Sequence, residues 1–283
     1  MIRYRLRSFV IILTLALIGQ IKIIPAHCRE GVKAAILLDM SSGRVIYERN
    51  PDLPIAPASI TKIMTLYLTY EAVENAKARW SDQVLVSPQA TRLGGTRMFL
   101  RPHSRVSLSD LAMGTAVASA NDAAWAIAEY LGGDVDTFVG MMNKKAKELG
   151  MKHTVFKNPH GLPEPGQVTT ARDIMLLSRA YLSRFPAVLA LHSRPVFNYR
   201  GKTLRNRNHL LGHYPGADGI KTGFICEAGY NISATAKRGS TRLIAVVLGA
   251  RTFRLRDREV EKLLDEGFQT VTTSLSRPPG RGG

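Results

Sequence analysis

Cysteine is almost missing from this 283-residue chain: Cys28 and Cys226 are the two it has, too few for the disulfide framework of a small secreted scaffold. They allow at most one bridge, to each other. No Cys-His signature surrounds Cys226, which reads as a small half-buried thiol near a strand end. His-Glu-x-x-His is also absent. His209 and His213 stand at i, i+4, but Gly212 and Pro215 disfavour a helix there and no acid lies between them, so neither a metal nor another cofactor is expected. Acidic residues are scarce, 22 against 39 Lys and Arg, for a net charge of +17. No internal repeat occurs. A content of 45% hydrophobic and 22% charged residues excludes disorder of the whole chain and suffices for a buried core.

Arg3, Arg5 and Arg7 precede an apolar stretch from Phe9 to Ile18, followed by Pro25 and Ala26. That succession of charged, apolar and small residues marks residues 1–26 as a secretory leader, with cleavage after Ala26 or after Cys28. The mature protein is expected outside the cytoplasm, periplasmic or extracytoplasmic. Because the leader carries four basic residues and no acid, the remainder keeps +13. In a cytosolic chain this would point to nucleic acid. Outside it, anionic membrane surfaces and acidic wall polymers are the available counter-charges, and no nucleic-acid partner is expected.

Ala34–Asp39 and Arg44–Glu48 read as a hairpin turning at Ser41–Gly43. From Ser59 onward Ile63, Leu66, Tyr67 and Tyr70 fall at helical spacing. Residues 108–131 and 135–150 are helical in pattern, with Asp134 as N-cap of the second, and Thr170 precedes a helix to about Arg184. After Pro186 the pattern turns β-like and polar. Ala217–Phe224, Ala228–Ala236 and Arg242–Gly249 suggest an antiparallel meander, and Val260, Leu263, Leu264 and Phe268 a final helix upon it. Residues 271–283 are expected to form a flexible basic tail.

Three short signatures carry chemistry: Ser59-Ile-Thr-Lys62, Ser119-Ala-Asn121 and Lys221-Thr-Gly223. Alone, the first is an N-cap and a surface lysine, the second caps the helix near Asp122, and the third is an edge residue before a turn. In this order they form a serine acyl-transfer set. Lys62, one helical turn from Ser59, can take its proton if burial and nearby cations depress its pKa. Ser119 can relay a proton to a leaving amine, Asn121 can bind substrate backbone, and Lys221 can hold an anion beside a strand that Gly223 opens to close approach.

These motifs, with Leu93–Leu100, Asn158-Pro-His-Gly-Leu162, Gly216–Gly223 and Ala228–Asn231, resemble the serine D-alanyl-D-alanine carboxypeptidases, the low-molecular-mass penicillin-binding proteins, over about residues 32–270. The resemblance implies an α+β fold of the β-lactamase and DD-peptidase kind, an antiparallel sheet flanked by helices with an inserted helical region, within one catalytic domain at 27–270. It implies that Ser59 is acylated, that Lys62 is its base, and that Ser119 and Asn121 form the middle motif. Lys221 and Thr222 would hold the terminal carboxylate of D-Ala-D-Ala, with Arg256 assisting. The amides of Ser59 and Phe224 would form the oxyanion hole. Peptidoglycan stem peptides would be the substrate and β-lactams covalent inhibitors. A DD-endopeptidase acting on cross-links and a non-catalytic wall-binding protein are the alternatives. Many relatives continue into a second, β-rich domain, which is not expected here. The Glu-x-x-Leu-Asn loop of the class A β-lactamases is absent from residues 155–170, where Glu164 sits in a Pro-Glu-Pro setting, so rapid β-lactam hydrolysis is not expected.

Overall fold

In the computed structural model, Ala34–Asp39 (β1) and Val45–Arg49 (β2) pair as an antiparallel hairpin. Asp39 organises the turn, its carboxylate accepting from Ser41 N at 2.9 Å and from Ser42 Oγ at 2.6 Å. The structure describes residues 31–275. The expected leader, Cys28 and the tail beyond Leu275 lie outside these.

A 3₁₀ turn, Ala58–Thr61, leads into α1, Lys62–Glu74. Every α1 residue from Lys62 to Thr69 is buried, as befits a helix enclosed on all sides. Gln83–Leu85 (β3), Pro88–Arg92 (α2) and Arg105–Ser107 (β4) follow, β3 pairing with β4. The helical pattern over 108–131 is interrupted. Leu108–Met113 (α3) continues into a wide π turn, Gly114–Ala118, and the chain then leaves the helix at Ser119 (φ 59°) and Ala120 before Asn121–Gly132 (α4). The break keeps its amides satisfied: Ala120 N donates to Gly114 O at 3.0 Å and Asn121 N to Thr96 O at 2.7 Å.

Val135–Glu148 (α5) and Ala171–Arg184 (α6) begin at the expected caps. Asp134 accepts from Thr137 N at 2.7 Å and Thr170 from Asp173 N at 3.1 Å. The stretch after Pro186 is not yet β. A 3₁₀ turn, Pro186–Val188, and a short helix, Leu189–His192 (α7), come first, because Val188 and Leu191 sit three residues apart and both are buried on one side. The polar hairpin starts afterwards, Val196–Tyr199 (β5) with Lys202–Arg205 (β6).

Ala217–Ile225 (β7), Gly229–Arg238 (β8) and Thr241–Ala250 (β9) form the meander, and Phe253–Leu275 (α8) closes the described chain, running past the boundary expected at 270. The five-stranded sheet has the order β2-β1-β9-β8-β7, all neighbours antiparallel, so N- and C-terminal segments share it and the helical block is inserted between them. Its middle strands are buried on both faces. Ile36, Leu38, Ile244 and Val246 pack toward α1 and α6, while Leu37, Leu243 and Val247 pack against Val260, Leu263 and Leu264 of α8. Cys226, just past β7, is exposed rather than half-buried, because β7 ends at Ile225 and its turn faces outward.

Candidate active site

Ser59 is the second residue of the 3₁₀ turn and Lys62 the first of α1, so one tight turn brings their side chains together. Lys62 Nζ lies 2.9 Å from Ser59 Oγ, 2.7 Å from Asn121 Oδ1 and 2.6 Å from the His160 carbonyl oxygen. Its relative exposure is 0%. Burial, then the charge of Lys221, push its pKa well below the ordinary lysine value, against a smaller opposing pull from Asp122.

Each partner of that amine is itself held. Asn121 Nδ2 donates to Gly94 O at 2.7 Å, fastening the start of α4 to the Leu93–Leu100 segment. Asp122, fully buried, accepts from Met98 N at 3.0 Å and Leu100 N at 3.1 Å. On the other side, Thr65 Oγ1 donates to Pro159 O at 2.6 Å, and Asn158 Oδ1 accepts from Gly161 N at 2.7 Å. A side chain at Gly161 (φ +85°) would overlap the Ala58 carbonyl. His160 takes part through its backbone as well as its ring. Its ring does pack, stacking on Trp125 with centroids 5.8 Å apart, but its carbonyl is an acceptor for Lys62. The Asn-Pro-His-Gly-Leu stretch carried the signal, although nothing in it names a backbone carbonyl as the working group.

β7 is the outer strand on this side of the sheet. A Cβ on Gly223 would stand 3.0 Å from the Ser59 amide nitrogen, so a side chain here would push the strand and the Ser59 turn apart by a few tenths of an ångström. Lys221 is buried and donates to the Thr222 carbonyl at 2.9 Å. Burial, then the Arg256 and Arg207 guanidinium groups, lower its pKa to about 7. Arg256 is buried beside Asp257, its Nε donating to the carboxylate at 2.7 Å and its Nη2 standing 2.6 Å from the same oxygen.

Ser59, Ser119, Thr222, Gly223, Phe224 and Arg256 all line one cleft of about 1280 Å³. Asn121 and the two lysines stand behind its wall, joined to it by the contacts above. His209 reaches the cleft wall, its Nδ1 3.4 Å from Asp257, while His213 Nε2 is 3.8 Å from Glu261. Among the described residues no three or more His, Cys, Asp or Glu gather as a metal site would require.

A serine hydroxyl in contact with a buried lysine, at the junction of an antiparallel sheet and a helical insertion, is the arrangement of the class of serine acyl-transfer folds to which DD-peptidases belong. The D-alanyl-D-alanine carboxypeptidase family profile matches residues 25–252, and the chain belongs to that family. It is 43% identical over 248 residues to Escherichia coli D-alanyl-D-alanine carboxypeptidase DacC, covering 85% of this chain and 62% of that protein. The chain thus spans less than two thirds of that relative's length. A Pseudomonas aeruginosa D-alanyl-D-alanine endopeptidase is 32% identical, covering 86% and 80% of the two chains. Penicillin-binding protein D2 of Listeria monocytogenes, in its ampicillin-bound form, superposes with a TM-score of 0.78 at 36% identity, covering 84% of this chain and 98% of that one.

Proposed function

We propose that this chain is a serine D-alanyl-D-alanine carboxypeptidase that removes the terminal D-Ala from peptidoglycan stem pentapeptides through an ester on Ser59, and that β-lactams acylate the same oxygen. The observation that carries this reading is the 2.9 Å contact between Ser59 Oγ and the fully buried Lys62 amine. As a neutral amine, Lys62 spends two N–H bonds on Asn121 and the His160 carbonyl and turns its lone pair to Ser59, ready to take the hydroxyl proton.

Ser59 Oγ then attacks the carbonyl of the penultimate D-Ala. The oxyanion is held by the amides of Ser59 and Phe224, and the terminal carboxylate by Lys221, Thr222 and Arg256. The proton passes from Lys62, by way of Ser119, to the departing amine, and D-Ala leaves. Water, deprotonated by Lys62, releases the shortened peptide. The charged and apolar N-terminal segment supports a site of action outside the cytoplasmic membrane, and the excess of Lys and Arg supports contact with anionic wall or membrane surface.

Mass spectrometry of peptidoglycan fragments after incubation with the protein tests this, using penicillin-treated and Ser59→Ala controls. Loss of one D-Ala from pentapeptide monomers, abolished in both controls, is the expected result. Conversion of cross-linked dimers to monomers would move the assignment to DD-endopeptidase, a reading that the endopeptidase relative, at 32% identity, supports less well than the carboxypeptidase relatives support the first. No change in either, with no penicillin labelling, would leave a wall-binding role.

A further inference from the structure

Phe99 is held in a conformation that bulky side chains avoid. Its φ is 62°, and its ring is 53% exposed at the cleft. Strain of this kind persists only where neighbours impose it. Here they do. The buried Asp122 carboxylate accepts from Met98 N and Leu100 N, on either side of Phe99, and the side chains of both enter the core. With its two neighbours turned inward, Phe99 is turned out. A glycine would occupy this position without strain, so the backbone alone gives no reason for an aromatic ring.

What the ring meets is cationic. Lys202 Nζ, from the β5–β6 hairpin, lies 3.7 Å from its centre, and the Arg97 guanidinium lies 5.5 Å from it. The hairpin is braced on its far side as well. Asn206 N donates to the Pro195 carbonyl at 2.8 Å, and Asn208 Nδ2 donates to the Gly219 carbonyl at 3.1 Å, two residues before Lys221 on β7. Phe197 and Leu204 of the hairpin pack on the same apolar cluster as Met98 and Leu100. The hairpin therefore reaches from the Lys221 end of β7 to the Leu93–Leu100 segment, and Phe99 and Lys202 clasp the two together. Phe99, Thr203 and Leu204 all line the cleft.

We infer that this clasp closes the end of the cleft that receives the leaving group and so sets its size: one small D-amino acid is admitted beyond the scissile bond, and an amine belonging to a second stem peptide is turned away. This rests on the carboxypeptidase reading above, in which Lys221 and Arg256 hold the carboxylate of the departing residue. With that carboxylate fixed at the clasped end, a methyl side chain has room. A chain continuing into a second peptide runs into Phe99 and the hairpin. Phe99 is thus a specificity-determining residue that takes no part in activating Ser59.

The test measures kcat/KM on a pentapeptide monomer and on the cross-linked dimer built from it, for the full chain and its variants. Phe99→Gly removes the ring and relieves the positive φ, so it is expected to fold, and penicillin labelling of Ser59 checks that it has. The ratio of dimer to monomer kcat/KM is expected to rise about tenfold in Phe99→Gly and in Lys202→Met, and to stay near the parent value in Lys202→Arg, which keeps the cation. An unchanged ratio in Phe99→Gly, or a parent that cleaves dimers as readily as monomers, overturns the inference and leaves the monomer activity standing. If the parent hydrolyses neither peptide while penicillin still labels Ser59, the carboxypeptidase reading fails instead. Esters of the same acyl group then decide the clasp: a gain in Phe99→Gly confined to a bulky D-phenyllactate leaving group, as against D-lactate, upholds it, and equal gains sink it.

Discussion

Lys62 has three acceptors around its nitrogen, which suits an ammonium with three N–H bonds, yet it works as a base only after losing one of them. Burial and the Lys221 charge favour that loss. Acylation by penicillin is therefore expected to rise with pH through the depressed Lys62 pKa, and Lys62→Met to lower the acylation rate by about 10²–10⁴-fold. Stopped-flow labelling checks this, and a variant within tenfold of the parent would remove Lys62 from the role of base. Lys221 gives the opposite limb. With its pKa at about 7 in the free protein, raising the pH above 7 neutralises it and weakens carboxylate binding. KM for a D-Ala-D-Ala peptide should rise on that side while kcat changes less. Lys221→Arg, which stays charged, should move the alkaline limb upward. An unmoved limb would mean that another group sets it.

The element on which the site most depends is the short break between α3 and α4, and Asp122 pins it. Its buried carboxylate serves Met98 N and Leu100 N, two amides with no helix or strand of their own. Asp122→Ala leaves both unsatisfied, an expected cost of about 2–5 kcal/mol, measurable by urea unfolding, whereas Asp122→Asn keeps one acceptor and should cost less. A loss near zero for the alanine variant would show that the Leu93–Leu100 segment is held by other contacts. Much at this scale was legible in the sequence. Strands such as Ala34–Asp39 and Thr241–Ala250 are apolar runs because both their faces are covered, and Asp134 and Thr170 announce their helices as caps. The break at Ser119 was not legible as a backbone reversal. Apolar periodicity persists on either side of it, and what stabilises it is long-range, Asn121 N reaching Thr96 O. The helical turn at Leu189–His192 was missed for a related reason: four residues are too few to establish a period. Ser59, Lys62, Ser119, Asn121 and Lys221 were readable because side-chain chemistry names them. The His160 carbonyl and the space at Gly161 were not, since backbone groups and voids leave little trace in residue type.

For the molecule as a whole, the groups that make the interior dry enough to depress lysine pKa values also set its response to acid. His160 packs against the site and His192 lies beneath β7, its Nε2 3.2 Å from the Tyr181 hydroxyl. Burial, then the charge of Lys62 for one and of Lys221 for the other, hold both pKa values down to about 3 from an ordinary 6.5. Between pH 6.5 and 3 the unfolded chain therefore binds two protons that the folded chain refuses. Folding free energy is fully present above pH 6.5 and declines as pH falls, by up to about 2.7 kcal/mol per pH unit for two protons. The net charge of +17 grows over the same range and adds general repulsion, so a bare loss of stability in acid would not identify the histidines. His192→Phe separates the two effects. It should cost some stability at pH 8, where the Tyr181 hydroxyl loses its partner, yet flatten the dependence between pH 6.5 and 4.5 by about half, because one of the two protons is gone. Urea unfolding at half-unit pH steps measures that slope, and a variant as steep as the parent would show that charge repulsion, not buried imidazole, drives acid unfolding.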